Sequence, residues 1–190
     1  EINSLKSQQF RWTKGAIETA KKIFPRVLKS NLPLKMKFQS FIHLCSNFAY
    51  PFILLAALLN LPVLLIKINN QYDEVFKLMS FFTLAFISSF LFYLYSQKDV
   101  YYDWQNRIFY FPLFLAGSMG LSLNNTKAVI EGLLNKKSEF VRTPKFGIVD
   151  ANDTLLNKKY LTKKISFLTI IELFLSIYCF IGVIIAIIHA

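Results

Sequence analysis

Three side chains near the N-terminal end have the types and spacing that could bind a phosphorylated sugar. They are Gln8, Arg11 and Trp12. Arg carries a planar fork of donors that binds phosphate oxygens in pairs, and Trp offers a flat apolar face for the C–H side of a sugar ring. Gln adds a neutral donor and acceptor. A nucleotide-sugar transferase needs this set, although an Arg beside a Trp at a membrane edge is also typical of a headgroup anchor.

The composition of the 190-residue chain predicts that these residues belong to a basic membrane protein. Apolar residues make up 54% and charged residues 17%, and the net charge is +11. Soluble domains average about 45–50% apolar and about 25% charged residues, which argues against an ordinary soluble enzyme. The 20 Phe residues exclude a disordered chain, because disordered chains are poor in aromatic residues.

Long uncharged intervals predict the helices that hold this region in a bilayer. Intervals at 38–66, 78–97 and 165–190, the last interrupted only by Glu172, are apolar on all sides and long enough to span. A weaker interval at 108–126 contains Pro112, Gly117 and Gly120. The fold class is therefore an all-α membrane protein with three or four transmembrane helices and amphipathic interface helices.

The basic residues predict the orientation of these spans. Residues 1–37 and residues 127–164 each contain nine of the 22 Lys and Arg. Lys and Arg are enriched on the cytoplasmic side, so we expect both regions there, and we expect the membrane to be a bacterial cytoplasmic membrane. Two spans between the basic regions allow that arrangement and three do not. Residues 108–122 are therefore interpreted as an interfacial or re-entrant segment.

Two basic segments have the periodicity of amphipathic helices. Residues 13–24 place Ala16, Ile17, Ala20, Ile23 and Phe24 on one face, and Lys14, Glu18, Lys21 and Lys22 on the other. Pro25 marks the expected end of this helix, and Pro33 a further break before the first span. The second helix is predicted at 126–134, with Asn124 and Asn125 as candidates for its N-cap. On composition alone, the favoured interpretation is that both helices only anchor the spans, and a more specific role stays open.

The pattern Gln-x-x-Arg-Trp, here Gln8, Arg11 and Trp12, resembles a motif of the cellulose-synthase-like inverting glycosyltransferases of family 2. In that family the motif ends the cytosolic catalytic domain and is followed by interface helices and membrane spans, as in this chain. The resemblance implies that Trp12 stacks on the acceptor sugar. It also implies that Gln8 and Arg11 contact the donor diphosphate, where Arg11 stabilises charge on the leaving group.

A second stretch, Phe140-Val141-Arg142-Thr143-Pro144-Lys145, resembles the gating loop of the same family, usually Phe-x-Val-Thr-x-Lys. Phe140, Thr143 and Lys145 match, and Arg142 stands where the family has Val. The resemblance implies that these three residues close over the bound nucleotide. It covers nearly the whole chain, but its specificity depends on these two short motifs.

The acidic residues do not form an obvious metal site. The resemblance implies a divalent metal, Mg²⁺ or Mn²⁺, and a catalytic base in an upstream catalytic domain, so we expect no catalytic residue and no metal ligand in this chain. Asp99 and Asp103 could share a helix face, but a solvated loop is the better interpretation, as it is for Asp150 and Asp153. Glu172 could pair with a Lys from another helix or face a channel, but it lies only seven residues into the apolar run, so placement at the interface is the favoured interpretation.

The resulting organisation has six parts. Residues 1–12 end a catalytic domain, 13–37 form interface helices, 38–97 two spans, 108–137 an interfacial or re-entrant segment with an amphipathic helix, 138–164 a cytosolic gating-type loop, and 165–189 a span. The predicted function is the C-terminal membrane part of an enzyme that transfers a hexose from a nucleotide sugar to a glycan or lipid acceptor. The alternative is a non-catalytic membrane anchor or transporter subunit. For the predicted transferase, the expected partners are the lipid bilayer, the nucleotide sugar, the glycan or lipid acceptor and the upstream catalytic domain. Nucleic acid is not an expected partner.

Overall fold

The computed structural model describes residues 2–69, 72–137 and 166–189, and within these ranges every regular element is helical. The helices are α1 (Ile2–Lys29), α2 (Leu34–Cys45), α3 (Ala49–Ile68), α4 (Asp73–Met79), α5 (Thr83–Val100), α6 (Trp104–Ile108), α7 (Phe111–Gly120), α8 (Ser122–Leu133) and α9 (Phe167–Ile188). Short 3-10 turns join α2 to α3 and α4 to α5.

Three of the described segments are long and apolar enough to cross a bilayer. They are Leu34–Ile68, which combines α2 and α3, then Asp73–Val100 and Phe167–Ile188. Large apolar side chains on them are exposed, such as Phe52 at 69%, Phe92 at 79% and Phe174 at 66%. A water-soluble protein does not expose apolar surface on this scale. The chain is therefore an all-α membrane protein with three candidate spans.

Helix α7 is too short to add a fourth span. Its 10 residues extend for about 15 Å, which is half of the roughly 30 Å hydrocarbon core. The preceding helix, α6, has five residues. The sequence-based interpretation of 108–122 as an interfacial or re-entrant segment stays a prediction, because helix length does not fix its depth.

Helix α1 is longer at both ends than the predicted helix at 13–24. It starts at Ile2, and it continues through Pro25 to Lys29, so the predicted end at Pro25 is wrong. Proline lacks an N–H and interrupts one helical hydrogen bond, but its fixed φ is compatible with continued helix. The predicted break at Pro33 is confirmed, since Pro33 is the N-cap of α2.

The described chain forms two compact units, each with its own contacts. The first contains α1, α2, α8 and the beginnings of α3 and α9. The second contains the remainder of α3 and α9 together with α4 to α7. In the second unit, the ring of Phe111 is buried among Phe86, Phe90 and Tyr93, at centroid distances of 5.8, 5.3 and 5.2 Å. The candidate functional residues that the structure describes belong to the first unit.

Candidate functional site on helix α1

The residues Gln8, Arg11 and Trp12 lie on a single face of α1. Positions three and four apart on an α-helix are neighbours on its surface, so the side chains of Arg11 and Trp12 extend beside that of Gln8. Trp12 is 61% exposed, and Gln8 and Arg11 are partly buried. Sequence reasoning placed these residues ahead of the amphipathic helix. The structure makes them part of it, so that the predicted limit between residues 12 and 13 falls inside α1.

The opposite face of α1 packs against α8. Thr13, Lys14, Ile17 and Ala20 are buried there, and they follow the helical repeat on the side away from Gln8 and Trp12. The approach is close at Gly132, where an added Cβ would lie 3.1 Å from the Cβ of Ile17 and 3.2 Å from the backbone oxygen of Lys14. This packing fixes which face of α1 is left exposed.

The C-terminal end of α8 is held by its own backbone and by two lysines of α1. The N–H of Asn135 donates to Gly132 O at 3.3 Å and that of Lys136 to Glu131 O at 3.0 Å, which is the Schellman pattern. Asn135 has φ 54°, a left-handed conformation that Asn adopts more readily than most residues. The α8 end therefore has a defined geometry immediately before Lys137.

Lys21 and Lys14 of α1 complete this C-terminal cap. The ammonium of Lys21 donates to Leu133 O at 2.6 Å and to Asn135 Oδ1 at 2.7 Å, and Lys14 donates to Lys136 O. Lys14 also lies 3.8 Å from the Glu131 carboxylate. Cations are favourable at a helix C-terminus because its carbonyl groups carry partial negative charge.

These contacts differ from the predicted role of Lys14 and Lys21 on the basic polar face of an interface helix. Lys14 is 6% exposed, and both lysines bond to α8. Their seven-residue spacing, which returns to the same side of a helix after two turns, was the signal that sequence reasoning missed.

Asn124 and Asn125 also differ from their predicted role. Helix α8 begins at Ser122, so neither residue is its N-cap, and both are buried inside the helix. The amide of Asn124 donates to Lys6 O of α1 at 3.0 Å and to Asn125 Oδ1 at 3.1 Å. The Asn124 side chain therefore joins α8 to α1 instead of capping a helix, and its buried amide is satisfied by that hydrogen bond.

Glu172, the acidic residue of the last span, pairs with Lys6. The ammonium of Lys6 donates to the Glu172 carboxylate, and both side chains are about one-fifth exposed, at 18% and 19%. This agrees with the first of the sequence-based alternatives, a pair with a lysine of another helix. The pair joins α9 to α1 two residues before Gln8.

The family resemblance implies a divalent metal in an upstream domain, so any metal site among the described residues would be a separate one. Among residues 2–69, 72–137 and 166–189, no group of three His, Cys, Asp or Glu residues could hold a metal ion. Asp99 and Asp103 do not share a helix face, because α5 ends at Val100. The gating-type residues Phe140, Thr143 and Lys145, and also Asp150 and Asp153, lie outside the described residues.

Asp103 has a partner of its own in the second unit. Arg107 Nε donates to its carboxylate at 2.9 Å, and the Arg107 guanidinium lies 3.8 Å from the centroid of the Tyr101 ring. The hydrogen bond from Arg107 lowers the pKa of Asp103 below its usual value and raises the pKa of Arg107. This pair is a local feature of the polar segment between α5 and α7, and the solvated-loop interpretation of Asp103 agrees with it.

Comparison with known proteins adds no further identification. No family model, no curated protein and no solved structure matches this chain.

Proposed function

We propose that this chain is the C-terminal membrane part of an inverting glycosyltransferase of the cellulose-synthase-like type, which transfers a hexose from a nucleotide sugar to a glycan or lipid acceptor. One observation carries the proposal. Gln8, Arg11 and Trp12 share the face of α1 that is turned away from α8, and the first candidate span starts five residues after α1 ends. The face combines a phosphate-binding fork, an amide and an exposed indole.

The chemistry assigns one role to each side chain. The acceptor hydroxyl attacks the anomeric carbon of the donor sugar while the bond to the diphosphate oxygen breaks, and the hydroxyl proton passes to a base in the upstream domain. Negative charge grows on the departing diphosphate, where the Arg11 guanidinium stabilises it together with the Gln8 amide. The exposed Trp12 ring supports the acceptor sugar.

The α8 end supports a second part of the proposal. Phe140, Thr143 and Lys145 follow the Schellman turn at Asn135 by five to ten residues in the sequence. Lys14 and Lys21 tie that turn to α1, three and ten residues after Arg11. We propose that this connection holds the C-terminal end of α8, which precedes the gating-type residues in the sequence, at a fixed distance from the nucleotide-binding face.

The test is steady-state kinetics of the full-length protein in membranes with a panel of nucleotide sugars. Arg11→Ala should lower kcat by about 10²–10³-fold with a smaller change in donor KM, because its main contact forms as charge develops. Arg11→Lys should be intermediate, since it keeps the charge and loses the fork. Glu18→Gln is the matched control: Glu18 is exposed on the same face two turns along, and its loss should leave kcat unchanged.

Trp12 is tested through the acceptor. Trp12→Ala should raise the acceptor KM and leave the donor KM unchanged, and Trp12→Phe should restore part of the acceptor affinity because it keeps an aromatic face. Unchanged acceptor kinetics would remove Trp12 from the proposed site.

The remaining outcomes separate the rival functions. A full-length protein that transfers no sugar from any donor, and whose upstream sequence lacks an Asp-x-Asp pair, would instead be a membrane anchor or transporter subunit. Product analysis distinguishes a processive synthase, which yields a polymer, from an enzyme that adds a single sugar to a lipid.

A further inference from the structure

A basic stripe occupies the exposed face at the C-terminal end of α1. It consists of Lys22, Arg26 and Lys29, which stand at i, i+4 and i+7 and therefore share one side of the helix. All three residues are exposed. The sequence contains no Asp or Glu between Glu18 and Asp73, so no acidic neighbour in the sequence offsets this charge.

Contacts between α1 and α2 place the basic stripe beside the start of the first span. The rings of Phe24 and Phe41 pack with their centroids 5.6 Å apart, and Lys37 Nζ donates to Leu28 O at 2.8 Å. The candidate span begins at Leu34, so Phe41 lies two turns inside it. Arg26 and Lys29 are consequently held alongside the first turns of a membrane-spanning helix.

Apolar side chains flank the basic stripe on the same part of the molecule. Leu28, Leu32 and Leu34 are 50%, 39% and 83% exposed. Cations beside exposed apolar residues are the arrangement that binds the boundary between headgroups and acyl chains. A soluble anion would contact only the cations. A phospholipid would contact the cations with its phosphate and the apolar side chains with its acyl chains.

We propose that the basic stripe, together with the exposed Lys35 at the start of α2, binds the phosphate headgroups of anionic phospholipids. Basic clusters directly beside a spanning helix attract anionic lipids, and this attraction acts within about 10 Å of the surface at moderate salt. Arg26 adds a planar fork for phosphate oxygens. The inference is independent of the proposed transferase activity.

The test measures lipid preference for the full-length protein reconstituted in phosphatidylcholine vesicles. Electron paramagnetic resonance compares the immobilised fraction of spin-labelled phosphatidylglycerol with that of spin-labelled phosphatidylcholine. We expect the protein to prefer phosphatidylglycerol at low salt and to lose this preference as the salt concentration rises. The double variant R26Q/K29Q should lower the preference by up to about fivefold for each charge removed.

The matched control is K67Q/K77Q, which removes the same number of exposed positive charges at the other end of the first span and in α4. It should keep the wild-type preference. The single variant K35Q, assayed in the same way, should lower the preference and covers the case in which R26Q/K29Q does not fold.

Three results would overturn the proposal. One is an equal loss of preference in R26Q/K29Q and K67Q/K77Q, which would assign the effect to net charge. Another is an unchanged preference in both R26Q/K29Q and K35Q, which would leave the stripe for a protein partner. The last is displacement of labelled phosphatidylglycerol by inorganic phosphate, but not by chloride at equal ionic strength, which would indicate a site for soluble phosphate.

Discussion

Burial differs between two regions of the molecule. Side chains in the contact between α1 and α8 are buried by protein, whereas those of the three candidate spans are mostly left exposed by it. In the contact, Ile17 and Val129 are almost completely buried together with polar Thr13 and Asn125. In the most apolar 18-residue windows of the first two spans, no residue is buried, and in α9 only 6% of the window is. Lipid replaces protein as the surroundings of a span, so a span needs little packing, whereas two amphipathic helices bury their apolar and polar side chains against each other.

The largest expected effect is a cavity in the α1–α8 contact. Ile17→Ala should reduce the free energy of unfolding by about 3 kcal/mol, because Ile17 is fully buried. Ile177→Ala in α9 removes the same atoms from a side chain that is 48% exposed, and it should cost less than about 0.5 kcal/mol. Titration with sodium dodecyl sulfate, followed by tryptophan fluorescence, measures both. Equal losses would show that the two regions do not differ in this way.

The ion pair between Lys6 and Glu172 gives the next effect. Glu172→Gln leaves a mostly buried ammonium without its charge partner and should cost about 2 kcal/mol in the same titration, less than for a fully buried pair. Glu74→Gln breaks the exposed pair with Lys77 and should cost less than about 0.5 kcal/mol. The charge swap K6E/E172K should recover part of the loss. A cost for Glu172→Gln no larger than that for Glu74→Gln would contradict the structural role of this pair.

Gly→Ala substitutions at two positions of opposite surroundings should change the stability in opposite directions. Gly132→Ala should destabilise by about 1–3 kcal/mol, since its new Cβ meets the Ile17 Cβ and a backbone oxygen, neither of which can rotate away. Gly15→Ala on the other side of α1 meets nothing within 4 Å and should stabilise by up to about 1 kcal/mol. Thermal unfolding in detergent gives both signs. A stabilising Gly132→Ala would argue against close packing of α1 on α8.

The smallest effect is the pH dependence of the Asp103–Arg107 pair outside both regions. Because the pKa of Asp103 is lowered, mainly by the hydrogen bond from Arg107, the pair is fully formed above the usual Asp pKa and is lost as the pH falls through the lowered value. Carboxyl ¹³C NMR titration should show a higher pKa for Asp103 in R107Q, and no change in K127Q. An unchanged midpoint in R107Q would disprove the pair.

The spans could be predicted from the sequence because their signal is local. Uncharged apolar stretches of sufficient length predict three described spans, and Pro33 predicts the break before the first. Hydropathy needs no knowledge of neighbouring helices, since the surroundings of a span are lipid.

The helix contacts could not be predicted in the same way. Asn124 is a residue type that often caps helices, but its side-chain amide donates a hydrogen bond to Lys6 O, which is distant in the sequence. Lys14 was predicted on the basic polar face of an interface helix, but its ammonium donates to Lys136 O at the C-terminal end of α8. Each depends on a partner more than a hundred residues away, which no local pattern contains. For Gln8, Arg11 and Trp12, the sequence supplies the residue types and the structure supplies their common face.

The central claim is that α1 has one face packed on α8 and one face that meets a nucleotide. Its most direct test is thiol labelling of full-length protein in which Cys45 and Cys179 are replaced by Ala, with one cysteine introduced by Gln8→Cys or Thr13→Cys. Gln8 is partly exposed and Thr13 is 1% exposed, so we predict faster labelling at position 8, slowed by a nucleoside diphosphate but not by chloride at equal ionic strength. Equal labelling at both positions, or no protection at position 8, would contradict the account.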